Sequence, residues 1–280
     1  MNTRNYQLRS AGSHHVRSEG TLRMDGVPDE LVFGEIERIR RIAASPYMNY
    51  RLGIAVVLDY SGSMAPFAPL MKVLLKELIQ QLQLIDHRDF TLAMVLIHNS
   101  MAKTVYFGDV KDIDADALLA ALPPEPYGAT PYASALSLAA QHMKKLYDVM
   151  EVAGQWYNAC PLYLSITDSM NNQNADLEVA SRLSRDFLSG TCMIAEFVTE
   201  VNQDGFCPGG FKIRIDRLNA EDQIKSFLRA VQIGSSTIGT AASSERMPDD
   251  FDRQKKNRYL GDYLFAEVTA WYDRYTHDAR

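Results

Sequence analysis

Cysteine and long apolar runs are both scarce in this sequence of 280 residues. The three cysteines, Cys160, Cys192 and Cys207, are an odd number, and none belongs to a C-x-x-C pair. This pattern argues against a disulfide framework and against a structural zinc site. We therefore expect thiols that stay reduced, as in a reducing compartment.

The sequence also lacks the signals of export, membrane insertion and nucleic-acid binding. Asn2 to Ser18 is polar and has no apolar core of a secretory signal. No apolar run approaches the roughly 20 residues that span a bilayer. The formal net charge is -6, which disfavours nucleic acid as a partner. A cytoplasmic protein without a membrane or nucleic-acid partner is the expectation.

Between about residues 50 and 235, predicted strands alternate with predicted helices. The apolar run from Gly53 to Leu58 predicts a strand that is buried on both faces. The alternation predicts an α/β fold with a doubly wound, mostly parallel sheet, one antiparallel edge strand and helices on both faces. Further strands are predicted at Phe90–Ile97, Lys103–Phe107 (exposed on one side), Pro161–Thr167, Cys192–Thr199 and Phe211–Ile215, and helices at Leu70–Ile85, Asp114–Leu122, Tyr132–Met150, Asp176–Leu188 and Glu221–Val231.

The flanking segments predict a main domain at 49–240, an N-terminal arm at 1–48 and a C-terminal extension at 241–280. The arm is predicted to hold short strands around Thr21–Met24 and Leu31–Phe33 and a helix at Glu35–Ala44. Small residues predict a linker at Ser235–Ser244, followed by an aromatic-rich helix at about Lys256–Tyr275. That helix either docks onto its own domain or mediates assembly, and the oligomeric state stays open.

Oxygen-bearing side chains follow three of these segments. Asp59, Ser61 and Ser63 come directly after the first buried strand, Thr130 lies in a Gly-x-Thr-Pro loop, and Asp168 follows a later strand. Carboxyl ends of parallel strands form the ligand crevice of open α/β sheets, so these side chains are expected to meet. A set of oxygen donors suits a hard cation such as Mg²⁺. The alternative is that Ser61, Ser63 and Asp168 only cap helices.

The three segments resemble the metal-ion-dependent adhesion site of the von Willebrand factor A (VWA) domain. That site has the pattern D-x-S-x-S, a distant Thr and a distant T-D, and the resemblance covers about residues 50 to 240. It implies a Rossmann-like fold that binds Mg²⁺, with Mn²⁺ as an alternative. The implied metal ligands are Asp59, Ser61, Ser63, Thr130 and Asp168, the hydroxyls binding directly or through water and the carboxylates largely through water. An Asp or Glu of another protein is expected to complete the metal shell.

Within that family, the sequence is most similar to small cytoplasmic bacterial members from tellurium-resistance and stress-response gene sets. The likeness lies in Leu58–Met64, Gly128–Tyr132 and Pro161–Asp168. Such proteins usually continue T-D-G-x-P-T-D, whereas Asp168 is followed here by Ser169-Met170-Asn171-Asn172. The resemblance implies a protein-interaction module in a stress-response or defence system, with a partner specificity of its own.

Two other classes of function remain open. A bound Mg²⁺ can activate water, so a phosphoester enzyme is one alternative. However, an aspartyl phosphotransferase would place a carboxylate at Ser61, and the sequence has neither a G-x-x-x-x-G-K-[ST] loop nor a G-x-S-x-G elbow. His98 and His142 are expected to be structural, and no catalytic residue is predicted. The other alternative is a structural subunit of a phage or secretion assembly.

Overall fold

The computed structural model describes residues 22–24, 26–43, 51–84, 89–152, 159–169, 192–199 and 211–243. The predicted helices at Asp176–Leu188 and Lys256–Tyr275 lie outside these residues. In chain order the elements are α1 (Asp29–Ala43), β1 (Arg51–Asp59), a 3₁₀ helix (Gly62–Phe67), α2 (Ala68–Leu84), β2 (Asp89–His98), β3 (Met101–Asp109), a short 3₁₀ turn (Val110–Asp112), α3 (Ala115–Ala121), α4 (Tyr132–Val152), β4 (Ala159–Thr167), β5 (Cys192–Phe197), β6 (Phe211–Ile215) and α5 (Ala220–Ser243).

The described strands form one six-stranded sheet in the order β3-β2-β1-β4-β5-β6. β3 runs antiparallel to β2, and every other neighbouring pair is parallel. This confirms the predicted fold class, a doubly wound α/β fold with one antiparallel edge strand. The strand order reverses between β1 and β4, and such a switch point is where open α/β sheets bind ligands.

β2 and β3 form a hairpin that is closed by a two-residue turn. His98 pairs with Met101, so Asn99 and Ser100 form the turn. Both turn residues have left-handed backbones, with φ of 53° and 59°. Turns with two positive φ angles follow the right-handed twist of paired strands, which explains the tight connection.

The core lies on both faces of the sheet because alternate residues of β1 point to opposite sides. Ile54, Val56 and Leu58 pack in one cluster with α2, α3 and α5, while Ala55 and Val57 pack in the other with α1 and α4. Helical spacing predicts an inward row on α2 and on α4, and the members that the structure describes are buried, namely Met71, Leu74, Leu78, Leu82, Leu136, Ala139, Met143 and Leu146. Ile85, also predicted to face inward, lies outside the described residues. None of the helices in the described ranges is long and apolar enough to cross a bilayer.

The prediction of a short strand at Leu31–Phe33 was wrong, because these residues belong to α1. The helix begins at Asp29, six positions before the predicted start at Glu35. Val32, Glu35 and Ile36 are buried at helical spacing. A three-residue apolar run does not by itself distinguish strand from helix, and here the buried face of α1 decides.

β3 was predicted to be exposed on one side, but Thr104 to Gly108 are all buried. α1 and α4 both pack against it. Its outer edge also receives backbone hydrogen bonds, from Arg23 N to Val105 O at 2.9 Å and from Val27 N to Thr104 O at 2.6 Å. The segment around Arg23 therefore covers the outer edge of the sheet. A short strand was predicted around Thr21–Met24, but residues 22–24 do not form one.

α5 continues to Ser243, past its predicted end at Val231. It passes through most of the Ser235–Ser244 segment that was predicted to be a linker. Serine, threonine and glycine lower helix stability by about 1 kcal/mol or less per residue relative to alanine. Burial of Phe227 and Leu228 against the sheet is the tertiary support that lets this helix form.

Candidate metal centre

The five predicted ligands meet at the switch point of the sheet. Asp59 is the last residue of β1, and Asp168 directly follows β4. β1 and β4 are parallel neighbours with Leu58 opposite Ile166, so Asp168 lies one position beyond the level of Asp59 on the neighbouring strand. The two carboxylates are close enough for the charge of Asp168 to act on Asp59. Thr130 reaches the same place from the loop before α4, where its hydroxyl contacts Ser61. The site thus combines segments that are more than a hundred positions apart in sequence.

Three hydroxyl groups form a continuous chain at this edge. Thr130 Oγ1 donates to Ser61 Oγ at 2.8 Å, and Ser61 Oγ lies 3.3 Å from Ser63 Oγ. Ser61 and Thr130 are buried, whereas Ser63 is half-buried. Neighbouring oxygens of an octahedral Mg²⁺ shell lie about 3.0 Å apart, given metal–oxygen bonds of about 2.1 Å. The hydroxyls therefore have the spacing of adjacent ligands, and Ser63 marks the side that faces solvent.

The alternative interpretation of Ser61 as a helix cap is wrong. Ser61 immediately precedes the 3₁₀ helix Gly62–Phe67, but its side chain makes no capping hydrogen bond. Its hydroxyl is instead directed at Thr130 and Ser63. The residues that follow Asp168 beyond Ser169 lie outside the described ranges, so the cap alternative for Asp168 is untested.

Asp59 is held by hydrogen bonds to both carboxylate oxygens. Ser61 N donates to Oδ1 at 3.1 Å, and Thr167 Oγ1 donates to Oδ2 at 2.8 Å. Thr167 in turn accepts from Ser169 N at 3.0 Å. A carboxylate that is fixed in this way cannot move freely toward an ion. It is better placed to contact an ion through a bridging water. The role of Thr167 in holding Asp59 was not predicted. In the sequence, Thr167 stands out only as the residue before Asp168 in the T-D pair.

The electrostatics of the site favour the binding of a positive charge. Asp59 and Asp168 are both fully buried. Burial, reinforced by repulsion from Asp168, raises the pKa of Asp59 to about 7, although hydrogen bonds from Ser61 and Thr167 oppose the change. A divalent cation would relieve both effects.

The donor set also selects the kind of cation. The described part of the chain holds no group of three or more His, Cys, Asp and Glu side chains placed to bind a metal. Two carboxylates and three hydroxyls remain, and zinc sites are built mainly from sulfur and imidazole ligands. Oxygen donors favour Mg²⁺ or Mn²⁺, so the residues present fit a hard divalent cation.

The loop that carries Thr130 is joined to the loop after β1 by two backbone hydrogen bonds. Tyr127 N donates to Tyr60 O at 3.1 Å, and Gly62 N donates to Gly128 O at 2.9 Å. Tyr60 and Gly62 flank Ser61 in sequence. The backbone of one ligand segment therefore fixes the backbone of the other.

The same loop is joined on its other side to the turn between β2 and β3. Asn99 N donates to Tyr127 O at 2.8 Å, and Ala129 N donates to Ser100 Oγ at 2.9 Å. Gly128 has a φ of 89°, and a Cβ there would collide with Ser100 N and lie 2.8 Å from Asn99 Cα. Glycine is thus required because the turn packs directly against the loop. No local sequence signal links this turn to the site.

No protein-family model matches the chain, and no curated protein matches it either. Among solved structures, the chain is similar to the manganese-loaded TRAP protein of Plasmodium vivax, at 22% identity and a TM-score of 0.42, over 64% of this chain and 74% of that one. It is similar to the von Willebrand factor type A protein from Catenulispora acidiphila, at 13% identity and a TM-score of 0.43, over 66% and 42%. It is also similar to the pilus adhesin SpaC from Lactobacillus rhamnosus GG in its open conformation, at 11% identity and a TM-score of 0.41, over 79% and 30%. The chain spans less than half the length of the last two proteins.

Proposed function

We propose that this chain is a VWA-type protein-interaction module that binds Mg²⁺, or Mn²⁺ in its place. The ion would be held by Asp59, Ser61, Ser63, Thr130 and Asp168. The observation that carries the proposal is the chain of three hydroxyls, at ligand spacing, beside two buried carboxylates at the switch point of the sheet. The sequence resemblance to the VWA metal site supports the same assignment.

An acidic group from a partner protein completes the metal shell in this proposal. Ser61, Ser63 and Thr130 are neutral ligands, so they leave much of the charge of a divalent ion uncompensated. The carboxylate of Asp59 is occupied by Ser61 N and the hydroxyl of Thr167. When bound, the ion supplies a positively charged binding position on the solvent side of the site. This allows a protein of net charge -6 to bind an acidic side chain.

The proposed role is non-catalytic, with an Asp or Glu of another protein as the ligand. The sequence resemblance to tellurium-resistance members favours a cytoplasmic place in a bacterial stress-response or defence system. That assignment depends on the segments around Asp59, Thr130 and Asp168, which are also the segments that meet in the structure.

Metal titration of the purified full chain tests the site. Calorimetry with Mn²⁺ and Mg²⁺ is expected to show about one site per chain, and Asp59→Ala is expected to abolish binding because the site loses a buried carboxylate. Asp114→Ala is the matched control. Asp114 accepts hydrogen bonds from Asp116 N and Ala117 N at the start of α3, away from the ligands. Equal affinity of Asp59→Ala and the wild-type chain would contradict the assignment.

The same samples test whether the bound ion keeps one coordination position open for a carboxylate of a partner. Water-proton relaxation by protein-bound Mn²⁺ is expected to fall when glutarate displaces a metal-bound water, and glutaramide is the uncharged control. No effect of glutarate would exclude a carboxylate as the group that completes the metal shell.

Two further outcomes would contradict the proposed function. Hydrolysis of a phosphoester that is lost in Asp59→Ala would assign the site to catalysis instead. A native partner that stays bound after EDTA treatment would contradict metal bridging.

A further inference from the structure

A buried hydrogen bond joins the start of α4 to β4 next to the candidate metal centre. The hydroxyls of Tyr132 and Ser165 are 2.6 Å apart, and Tyr163 OH lies 3.3 Å from Tyr132 OH. All three side chains are buried. Tyr132 follows Thr130 by two positions, and Ser165 precedes Asp168 by three. The bond therefore links the two segments that carry these predicted ligands.

This polar contact lies among mainly apolar neighbours between α4 and the sheet. Ser165 pairs in the sheet with Val57 of β1 and Ile194 of β5, and both belong to the apolar cluster on this face. Replacing both partners of a buried hydrogen bond by apolar groups of similar shape is often nearly neutral for stability. Stability alone therefore does not require hydroxyls here. A hydrogen bond adds a defined distance and direction, which apolar packing lacks.

The other described hydrogen bonds of the Thr130 loop do not reach β4 itself. They reach the loop after β1 through Tyr60 and Gly62, and the turn between β2 and β3 through Ser100. Asp168 follows β4, which lies on the opposite side of β1 from β2. The hydroxyl of Tyr132, through Ser165 and Tyr163, ties the element after Thr130 directly to the strand before Asp168.

Ser165 belongs to a row of hydroxyls on one face of β4. Residues at alternate positions of a strand share a face, so Tyr163, Ser165 and Thr167 lie together. Thr167 at the end of this row donates to Asp59, while Ser165 contacts Tyr132. One strand face thus fixes Asp59 on β1 and the start of α4 at the same time.

We propose that Tyr132 and Ser165 are positioning residues, whose hydrogen bond sets the distance between Thr130 and Asp168 and thereby the affinity of the metal site. This inference rests on the proposed function. Partners that orient metal ligands typically contribute 10- to 100-fold to metal affinity. Tyr132→Phe removes one hydroxyl without changing the ring, so it is expected to weaken Mn²⁺ binding by about tenfold or more.

The test compares Mn²⁺ dissociation constants of the full chain with urea midpoints measured in EDTA. Tyr106→Phe is the matched control, because Tyr106 is also a buried tyrosine and its hydroxyl donates to Asp109 O at the far end of β3. We expect the control to lower the urea midpoint while keeping the dissociation constant. Tyr132→Phe, Ser165→Ala and the double variant are expected to share one loss of affinity, since all three remove the same bond.

Wild-type affinity in Tyr132→Phe would overturn the positioning role, and so would an equal loss of affinity in Tyr132→Phe and Tyr106→Phe. If Tyr132→Phe does not fold, Ser165→Ala answers the question with a smaller change. A wild-type chain that binds no Mn²⁺ would overturn the proposed function and this inference together. Binding that is lost in Asp59→Ala but intact in Tyr132→Phe and Ser165→Ala would overturn this inference alone.

Discussion

Ser169 has a backbone conformation that costs energy for any residue with a side chain. It follows Asp168 with a φ of 60°, in the left-handed region, and it is buried. The conformation is held by the hydrogen bond from Ser169 N to Thr167 Oγ1, next to the contact of Thr167 with Asp59. A left-handed backbone costs a non-glycine residue about 1 kcal/mol or more.

Replacing Ser169 by glycine is therefore expected to stabilise the metal-free chain. Ser169→Gly keeps the N–H that bonds to Thr167 and removes the left-handed cost, with an expected gain of about 0.5–1 kcal/mol in the free energy of unfolding. Ser169→Ala is the matched control, because it removes the hydroxyl but keeps the cost. Urea unfolding in EDTA measures both. A Ser169→Gly variant that is no more stable than Ser169→Ala would show that the backbone angle is not the source of strain.

At the same scale, the sequence predicted which residues meet at the candidate metal centre better than it predicted the residues that support them. Asp59 and Asp168 were predictable because each directly follows an apolar strand, and strand ends of a parallel sheet share an edge. The roles of Thr167 and Ser165 depend on which residue faces them across the sheet or from α4. That information comes from strand register and helix packing, which no short motif contains.

At the scale of elements, periodicity predicted the long, buried segments well. β1, α2 and α4 carry continuous or helically spaced apolar residues, and those predicted inward residues that the structure describes are buried. The errors lie at α1 and α5, whose helices extend beyond their predicted bounds through segments of weak local signal. For α1, the buried Val32 gives the tertiary contact that the local sequence does not reveal. The contact between Gly128 and the β2–β3 turn was also beyond prediction, because it joins loops that are distant in sequence.

Gly128→Ala tests whether that contact between loops is needed. The added methyl group would meet the backbone of Asn99 and Ser100, and the φ of 89° disfavours any side chain. Gly128→Ala is expected to lower the free energy of unfolding by about 2 kcal/mol or more and to weaken Mn²⁺ binding, because the Thr130 loop must move.

Gly34→Ala is the control for this substitution. Gly34 lies in α1, and a Cβ there meets nothing within 4 Å. The helix propensity of alanine is expected to add up to about 1 kcal/mol of stability without changing metal affinity. Equal unfolding midpoints for Gly128→Ala and the wild-type chain would mean that the turn and the loop can separate freely.

At the scale of the whole molecule, the candidate metal centre and the buried His142 lie in separate regions. The candidate metal centre occupies the carboxyl edge of the sheet, whereas His142 lies buried in the layer where α4 packs on α1 and β3. His142 Nε2 is 2.7 Å from Thr104 Oγ1, and its ring contacts that of Phe107 with centroids 5.0 Å apart. Nδ1 is buried without a hydrogen-bond partner among the described residues. This environment favours the neutral imidazole.

The pH dependence of stability follows from this burial. Burial, together with the charge of Lys145, lowers the pKa of His142 from 6.5 to about 4, while the charge of Asp29 on α1 acts in the opposite direction. Between these two pKa values the unfolded chain binds more protons than the folded chain. The contribution of His142 to stability is therefore complete above pH 6.5 and is lost as the pH falls toward 4.

Urea unfolding at pH 7 and pH 5 is expected to show this loss, which amounts to about 2 kcal/mol for a pKa change of this size. His142→Gln removes the titrating group. The difference in stability loss between the wild-type chain and this variant therefore measures the contribution of His142 apart from that of other groups. Lys145→Gln is expected to shrink the loss, because removing a nearby positive charge raises the pKa of His142. A wild-type chain that loses no more stability than His142→Gln between the two pH values would contradict a neutral, buried His142. No described contact of His142 involves a candidate metal ligand. The loss is therefore expected to be the same in EDTA and in saturating Mg²⁺ once metal binding is subtracted.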